Sequence, residues 1–112
     1  MGFEQFDVVR VPFPFTDRTA TKNRPALVLS QSDFNNAADH SVLIMITSAI
    51  NDWPLDCPIQ DIQPAGLPVP SKIRFKLFTL DNRLIRGKIG ALSTSDTRAF
   101  KKKFERLVTA AS

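Results

Sequence analysis

Residues 71–81 read Ser-Lys-Ile-Arg-Phe-Lys-Leu-Phe-Thr-Leu-Asp, and the reading of this stretch decides the fold class. Ile73, Phe75 and Leu77 recur at period two, with Lys72, Arg74 and Lys76 in the alternate positions. Successive side chains of a strand point to opposite faces. Ile73–Leu77 is therefore expected to be a strand with one face in the core and three cations in a row on the other.

The same logic extends in both directions. Lys88–Leu92 gives a further short strand. Pro25–Leu29 and Val42–Thr47 are near-continuous apolar runs, which fit strands buried on both faces. Phe6–Val11 alternates and is rich in β-branched residues. It stops at Pro12-Phe13-Pro14, because proline cannot donate to a ladder. Residues 54–70 hold five of the eight prolines and Gly66, a stiff irregular stretch with one short strand expected near Leu55–Ile59. Residues 12–24, PFPFTDRTATKNR, form a long polar connection, and a connection of that length in a small domain is often functional. His40 is expected in a loop after Asn35-Asn36. The tail reads as a helix: Ser93 caps it with Asp96 three residues on, and Phe100, Phe104, Leu107 and Val108 make an apolar stripe. Lys101, Lys102, Lys103 and Arg106 lie mostly off that stripe. Many short strands and one final helix predict a mainly β protein, a small curved antiparallel sheet or partly open barrel with the helix packed on it.

Composition narrows the function classes. The 112 residues are 43% hydrophobic and 23% charged, which suits one globular domain over 1–112 and fits neither disorder nor a coiled coil. No run of 18 apolar residues exists to span a membrane. Met1–Asp7 carries Glu4 and Asp7 and no apolar block, so no signal peptide is expected and the cytoplasm is the expected location. The single Cys57 can form neither an internal disulfide nor a cysteine-based metal site by itself. Residues 1–56 carry four basic and seven acidic side chains, and residues 57–112 carry eleven and four. The second half is thus strongly basic, which suits a polyanionic partner or a solvated cationic surface.

The residues also limit the chemistry. His40 is the one histidine available to a Ser/His/Asp triad, and no HExxH, CxxC, GxxxxGK or GxGxxG pattern is present. No metal or other cofactor is expected. What remains is arginine and hydroxyl chemistry at strand ends. Arg24 precedes Pro25 where the long loop enters an apolar strand, and Thr47 and Ser48 end another. If those strands are neighbours, Arg24 and Thr47 converge; otherwise Arg24 makes a surface ion pair and Thr47 caps its strand.

At this point four blocks in order, DVVRVPFPFTD (7–17), RPALVLS (24–30), MITS (45–48) and SKIRFKLFTLD…IRGKIGALS (71–93), resemble the MazF/PemK toxins of type II toxin–antitoxin systems. The resemblance spans residues 6–109 and implies a small SH3-like antiparallel β-barrel with a C-terminal helix, usually a homodimer. It implies a sequence-specific, metal-independent endoribonuclease that cuts single-stranded RNA to a 2′,3′-cyclic phosphate and a 5′-hydroxyl. It also implies a cognate antitoxin whose disordered acidic and apolar tail fills the RNA groove. The family's catalytic arginine and threonine fall on Arg24 and Thr47, and its active-site loop falls on residues 13–23. Thr16, Arg18 and Lys22 of that loop, with Ser48 and the Lys72, Arg74, Lys76 face, are the expected RNA-binding residues. At Phe75 and Lys76 the chain departs from the acidic or amide residue of many relatives, a departure that bears on base specificity.

The chemistry agrees with the resemblance. RNA carries its own nucleophile in the 2′-hydroxyl, so an enzyme that aligns it needs chiefly cations and donors on the pentavalent transition state. Arginine offers a planar fork for phosphate oxygens and, being always protonated, acts by charge and donation. Two other functions fit parts of the pattern. A toxin resembling CcdB, which traps DNA gyrase without catalysis, has no need of the Arg24/Thr47 pair. A plain single-stranded nucleic-acid-binding barrel needs surface aromatics. Phe13, Phe15 and Trp53 are the candidates, with Phe75 read as core.

Overall fold

The alternating and apolar runs form six strands: β1 (Asp7–Pro12), β2 (Asn23–Val28), β3 (His40–Thr47), β4 (Cys57–Pro58), β5 (Lys72–Asp81) and β6 (Gly87–Ala91). Two helices complete the described elements, α1 (Ser32–Ala38) and α2 (Thr94–Val108), with a 3-10 turn at Asn82–Leu84. The computed structural model describes residues 2–12 and 23–110, so Phe13, Phe15, Thr16, Arg18 and Lys22 lie outside the described residues. Every strand pairing is antiparallel, in the order β4-β5-β3-β2-β1-β6, and the sheet curls into a half-barrel with α2 against it. No helix among the described residues is long and apolar enough to cross a membrane.

Two apolar clusters explain why the central strands are apolar on both faces. Val8, Leu27, Ile44, Ile46 and Ile73 meet Leu92 and Phe100 on one side of the sheet. Val9, Val11, Ala26, Val28 and Leu43 meet Ile85 on the other, with Phe3, Phe78 and Leu80 packed against them. Phe100 is 1% exposed. It stacks on Phe75 at 5.7 Å between ring centroids and meets Phe6 edge-on at 6.1 Å.

Ser93 caps α2 by accepting from Asp96 N–H at 3.2 Å. Asp96 itself is buried, and its carboxylate accepts from Gln60 N–H and Asp61 N–H, both at 2.9 Å, which pins the proline-rich segment to the helix. That segment then lies along β6, where Ala91 N–H donates to Pro64 O at 2.9 Å. The approach is close enough that a Cβ on Gly90 would sit 2.4 Å from Pro64 O, and one on Gly66, at φ 73°, would sit 2.0 Å from Ile89 O. Glycine at these two positions is what lets the segment cover a sheet edge.

Three expectations change. His40 begins β3 instead of lying in a loop, and Asn35-Asn36 belongs to α1. Asn35 is fully buried, donating to Phe3 O at 2.9 Å and Ser30 O at 3.1 Å while it accepts from Ser30 Oγ. The period-two face of Ile73–Leu77 does not persist. Ile44 pairs with Leu77 but Met45 pairs with Arg74, so Phe75 and Lys76 are extra residues at a bulge in β5. Ile73 and Arg74 are consecutively buried, Phe75 turns onto Phe100, and Leu77 is 39% exposed. The apolar stripe of α2 also runs past the sheet: Phe100 is buried, whereas Leu107 and Val108 are exposed.

Candidate functional site

Arg24 stands at the start of β2 because of its neighbour. Pro25 confines the preceding residue to extended backbone, so Arg24 continues the strand line into the polar connection. Val11 pairs with Arg24 across β1 and β2, and Thr47 pairs with Lys72 across β3 and β5. The β2–β3 register, Ala26 with Met45 and Leu27 with Ile44, sets Arg24 opposite Thr47 when continued by two residues. Val11, Arg24, Thr47 and Lys72 thus form one row across four strands at one end of the sheet.

Arg24 and Thr47 line the same cavity of about 150 Å³, with Ser48, Leu67, Val69 and Ser71. A second hollow of about 230 Å³ shares Thr47, Ser48 and Ser71 and continues to Ile50 and Lys72. Thr47 Oγ1 accepts from Ala49 N–H at 3.1 Å, which orients the hydroxyl and leaves its proton to donate. Arg24 is exposed and makes no ion pair among the described residues. An arginine without an ion-pair partner among the described residues and a threonine hydroxyl lining one concavity suit a phosphodiester oxyanion.

The three cations of β5 are not the open row that their spacing suggests. Arg74 donates to Asp56 through Nε at 3.3 Å and Nη2 at 3.0 Å, and to Asn51 O at 2.8 Å. Lys72 Nζ donates to Asn51 O at 2.6 Å and lies 3.2 Å from Asp56 Oδ2. The Arg74, Asp56 and Lys72 side chains are only 6, 10 and 14% exposed. Burial pushes the Asp56 carboxyl up, but the hydrogen bonds from Arg74 and Lys72, with Trp53 N–H, outweigh it and hold it below the usual carboxylate range. The bulge turned Arg74 inward, and the loop after β3 supplied the acid that Arg74 and Lys72 now hold. Lys76 is half-buried with Nζ 4.8 Å from the centre of the Trp53 ring.

Larger hollows lie elsewhere. One of about 520 Å³ at the opposite end of β3 is lined by His40, Asp81 and Arg83. Its charges answer each other: Arg83 Nη2 donates to Asp81 at 2.8 Å, and the hydrogen bonds from Arg83 lower the Asp81 carboxyl to about 2. Seven residue steps of strand, roughly 23 Å, separate His40 from Thr47, so the histidine is remote from Arg24 and Thr47. The structure therefore brings together Arg24, Thr47 and Ser48, and commits Lys72 and Arg74 to Asp56. The sequence reading did not name Ser71 as a site residue, although it opens the SKIRFKLFTLD block, and it missed Asp56, whose partners are set by the bulge.

Comparison with known proteins gives one family. The profile described as PemK-like, MazF-like toxin of type II toxin–antitoxin system matches residues 4–108. No curated protein sequence matches. Among solved structures, a chain of a MazE–MazF crystal structure from Deinococcus radiodurans is 20% identical, with 99% of each chain covered and a TM-score of 0.75. The Mycobacterium tuberculosis toxin MazF-mt6 is 17% identical over 95% of this chain and 99% of its own, again at 0.75. An endoribonuclease in complex with its cognate antitoxin, from a mycobacterial species, is 12% identical over 99% and 97%, at 0.74.

Proposed function

The chain belongs to the PemK-like, MazF-like toxin family of type II toxin–antitoxin systems, and we propose from this premise that it is a metal-independent, sequence-specific endoribonuclease of single-stranded RNA. The observation that carries the reading is the Arg24 guanidinium and the Thr47 hydroxyl lining one cavity at the ends of adjacent strands, the guanidinium without an ion-pair partner among the described residues. The RNA phosphodiester lies over this cavity. The 2′ oxygen attacks phosphorus in line, a P–O2′ bond forms, and the P–O5′ bond breaks. The 2′ oxygen loses its proton and the 5′ oxygen gains one, leaving a 2′,3′-cyclic phosphate and a 5′-hydroxyl. Arg24 places its charge and two parallel donors on the non-bridging oxygens as negative charge grows there. Thr47 donates a further hydrogen bond, and Ser48 holds the neighbouring backbone.

The same reading includes a cognate antitoxin that occupies the groove, action in the cytoplasm as a single toxin domain, and a homodimer. Exposed Leu77, Leu84, Leu107 and Val108 support an apolar interface between copies. Of the cations on β5, Lys76 is the one left for the RNA backbone. Thr16, Arg18 and Lys22 keep their proposed role in RNA binding from the family resemblance of residues 12–24.

The test is incubation of the purified protein with a long RNA in EDTA, followed by mapping of the ends. Cleavage at a recurring short sequence with 5′-hydroxyl ends is expected. Cleavage that vanishes in EDTA and returns with magnesium overturns the mechanism, and binding without cleavage overturns the enzyme reading.

A further inference from the structure

Loop 48–56 follows Thr47 directly and is fastened by the Asp56 carboxylate together with Asn51 O, which accepts from Lys72 and Arg74. Asp56 takes both Arg74 nitrogens, Lys72 and the Trp53 backbone N–H, the last at 3.0 Å. The fastening holds an aromatic ring at the surface. Trp53 is 41% exposed, with the Arg74 guanidinium carbon 5.8 Å and Lys76 Nζ 4.8 Å from its ring centre. A loop tryptophan placed only to bury apolar area has no need of a buried ion cluster to set its backbone. The first residues of the same loop, Ser48 to Ile50, line the hollow that runs from Thr47 to Lys72. Ile50 and Val69, 99 and 46% exposed, line the two hollows that share Thr47, and Lys72 lines the hollow nearer the loop. Contacts of 3.2 and 3.0 Å, through Asp56 Oδ2, link Lys72 Nζ to Trp53 N–H.

We propose that Trp53 is a stacking platform for one nucleobase of the RNA strand whose scissile phosphate lies over Arg24 and Thr47, with Asp56 as the residue that positions it. The proposal rests on the ribonuclease reading and adds a site to it. Every base has a π-face, so the platform contributes affinity and alignment and leaves base choice to other contacts. Lys76, whose Nζ lies over the ring at 4.8 Å from its centre, swings to the adjoining phosphate as the base takes the ring face.

Trp53 is the sole tryptophan, and the chain has no tyrosine, so its emission reports its own environment. The experiment titrates wild-type protein with a single-stranded oligonucleotide, 2′-O-methylated throughout to block cleavage and labelled at its 3′ end. Binding is read by label anisotropy and stacking by tryptophan emission. Saturable quenching with the same midpoint as the anisotropy is expected. A series with one abasic position moved along the strand should lose the quench at a single position. Trp53→Ala should weaken binding by about 5- to 150-fold, while Trp53→Phe retains most of the affinity. Oligonucleotide binding with unchanged emission overturns the proposal, as does quenching that no single abasic position removes. Either result leaves the ribonuclease reading intact if wild-type protein still cuts RNA. Wild-type protein that neither binds nor cuts single-stranded RNA overturns both.

Discussion

Removing the Asp56 carboxylate should be among the most damaging single changes in the structure outside the apolar core. Asp56→Ala leaves Arg74 and Lys72, 6 and 14% exposed at the side chain, as two like charges sharing a site, with only the exposed Asp52 carboxylate, 3.8 Å from Lys72 Nζ, still near them. Breaking a buried pair from one side costs about 3–5 kcal/mol, because the remaining charge keeps its desolvation penalty. Lys72 is near enough to water, and Asn51 O remains as an acceptor for both cations, so the lower end of that range applies, about 3 kcal/mol. For a chain of this length that is a drop in melting temperature of roughly 12 °C. Asp56→Asn keeps acceptors but not charge and should fall between. The pH dependence has a definite sign. The folded-state carboxyl lies below its unfolded value, so its contribution is complete above about pH 4 and is lost as pH falls through the lower folded value. The gap between wild type and Asp56→Ala should therefore be full at pH 7 and shrink below pH 4. The assay is urea denaturation at both pH values, with near-UV circular dichroism of Trp53 to follow the loop. A loss under 1 kcal/mol at neutral pH, or a gap that does not narrow in acid, refutes the reasoning that this cluster acts as a buried clamp.

Three further outcomes follow from the geometry. Arg24→Ala should lower single-turnover cleavage by about 10²–10³ and change stability by under about 0.5 kcal/mol, and Arg24→Lys should recover little because an ammonium lacks the planar fork; a folded Arg24→Ala protein cutting within about tenfold of wild type removes the residue from the mechanism. Phe100→Ala should cost about 3–5 kcal/mol by chemical denaturation, since the ring joins α2 to both Phe6 and Phe75; a loss near 1 kcal/mol would mean that α2 packs independently of it. Lys76→Gln should reduce the salt slope of RNA binding by about 0.7, and adding Lys72→Gln should change it little further, because Lys72 is already answered by Asp56; a second equal step would show that the clamp opens on binding.

The sequence was readable where a residue's neighbours in the chain determine its fate. Strand β1 ends at Pro12, Ser93 caps α2, and the apolar runs of β2 and β3 are central strands for the reason their composition suggests. Helix α1 was not readable, because Ser-Asp-Phe-Asn-Asn-Ala-Ala has no apolar period. Its Asn35 is buried only because Ser30 and Phe3, from elsewhere in the chain, satisfy its amide.

The candidate site divides along the same line. Arg24 and Thr47 are strand-end residues whose meeting depends only on β2 lying beside β3 in one register, and the row from Val11 to Lys72 follows from that. The β5 cations depended on more. Periodicity assumes an unbroken pleat, and the two extra residues at Phe75 and Lys76 reset it, so Lys72 and Arg74, two of the three cations expected on an open basic face, form a charge cluster under a loop. Here a bulge in the strand beside the Arg24–Thr47 row turns Lys72 and Arg74 from an open face into supports of the loop that carries Trp53. The affinity that an open row of three cations would have supplied must then come from elsewhere. The cluster itself holds up the exposed Trp53 ring, which is why the stacking of a base on Trp53 and the firmness of the Asp56 clamp should rise and fall together: an Asp56→Asn protein should lose part of the RNA-induced quench even where its fold is retained.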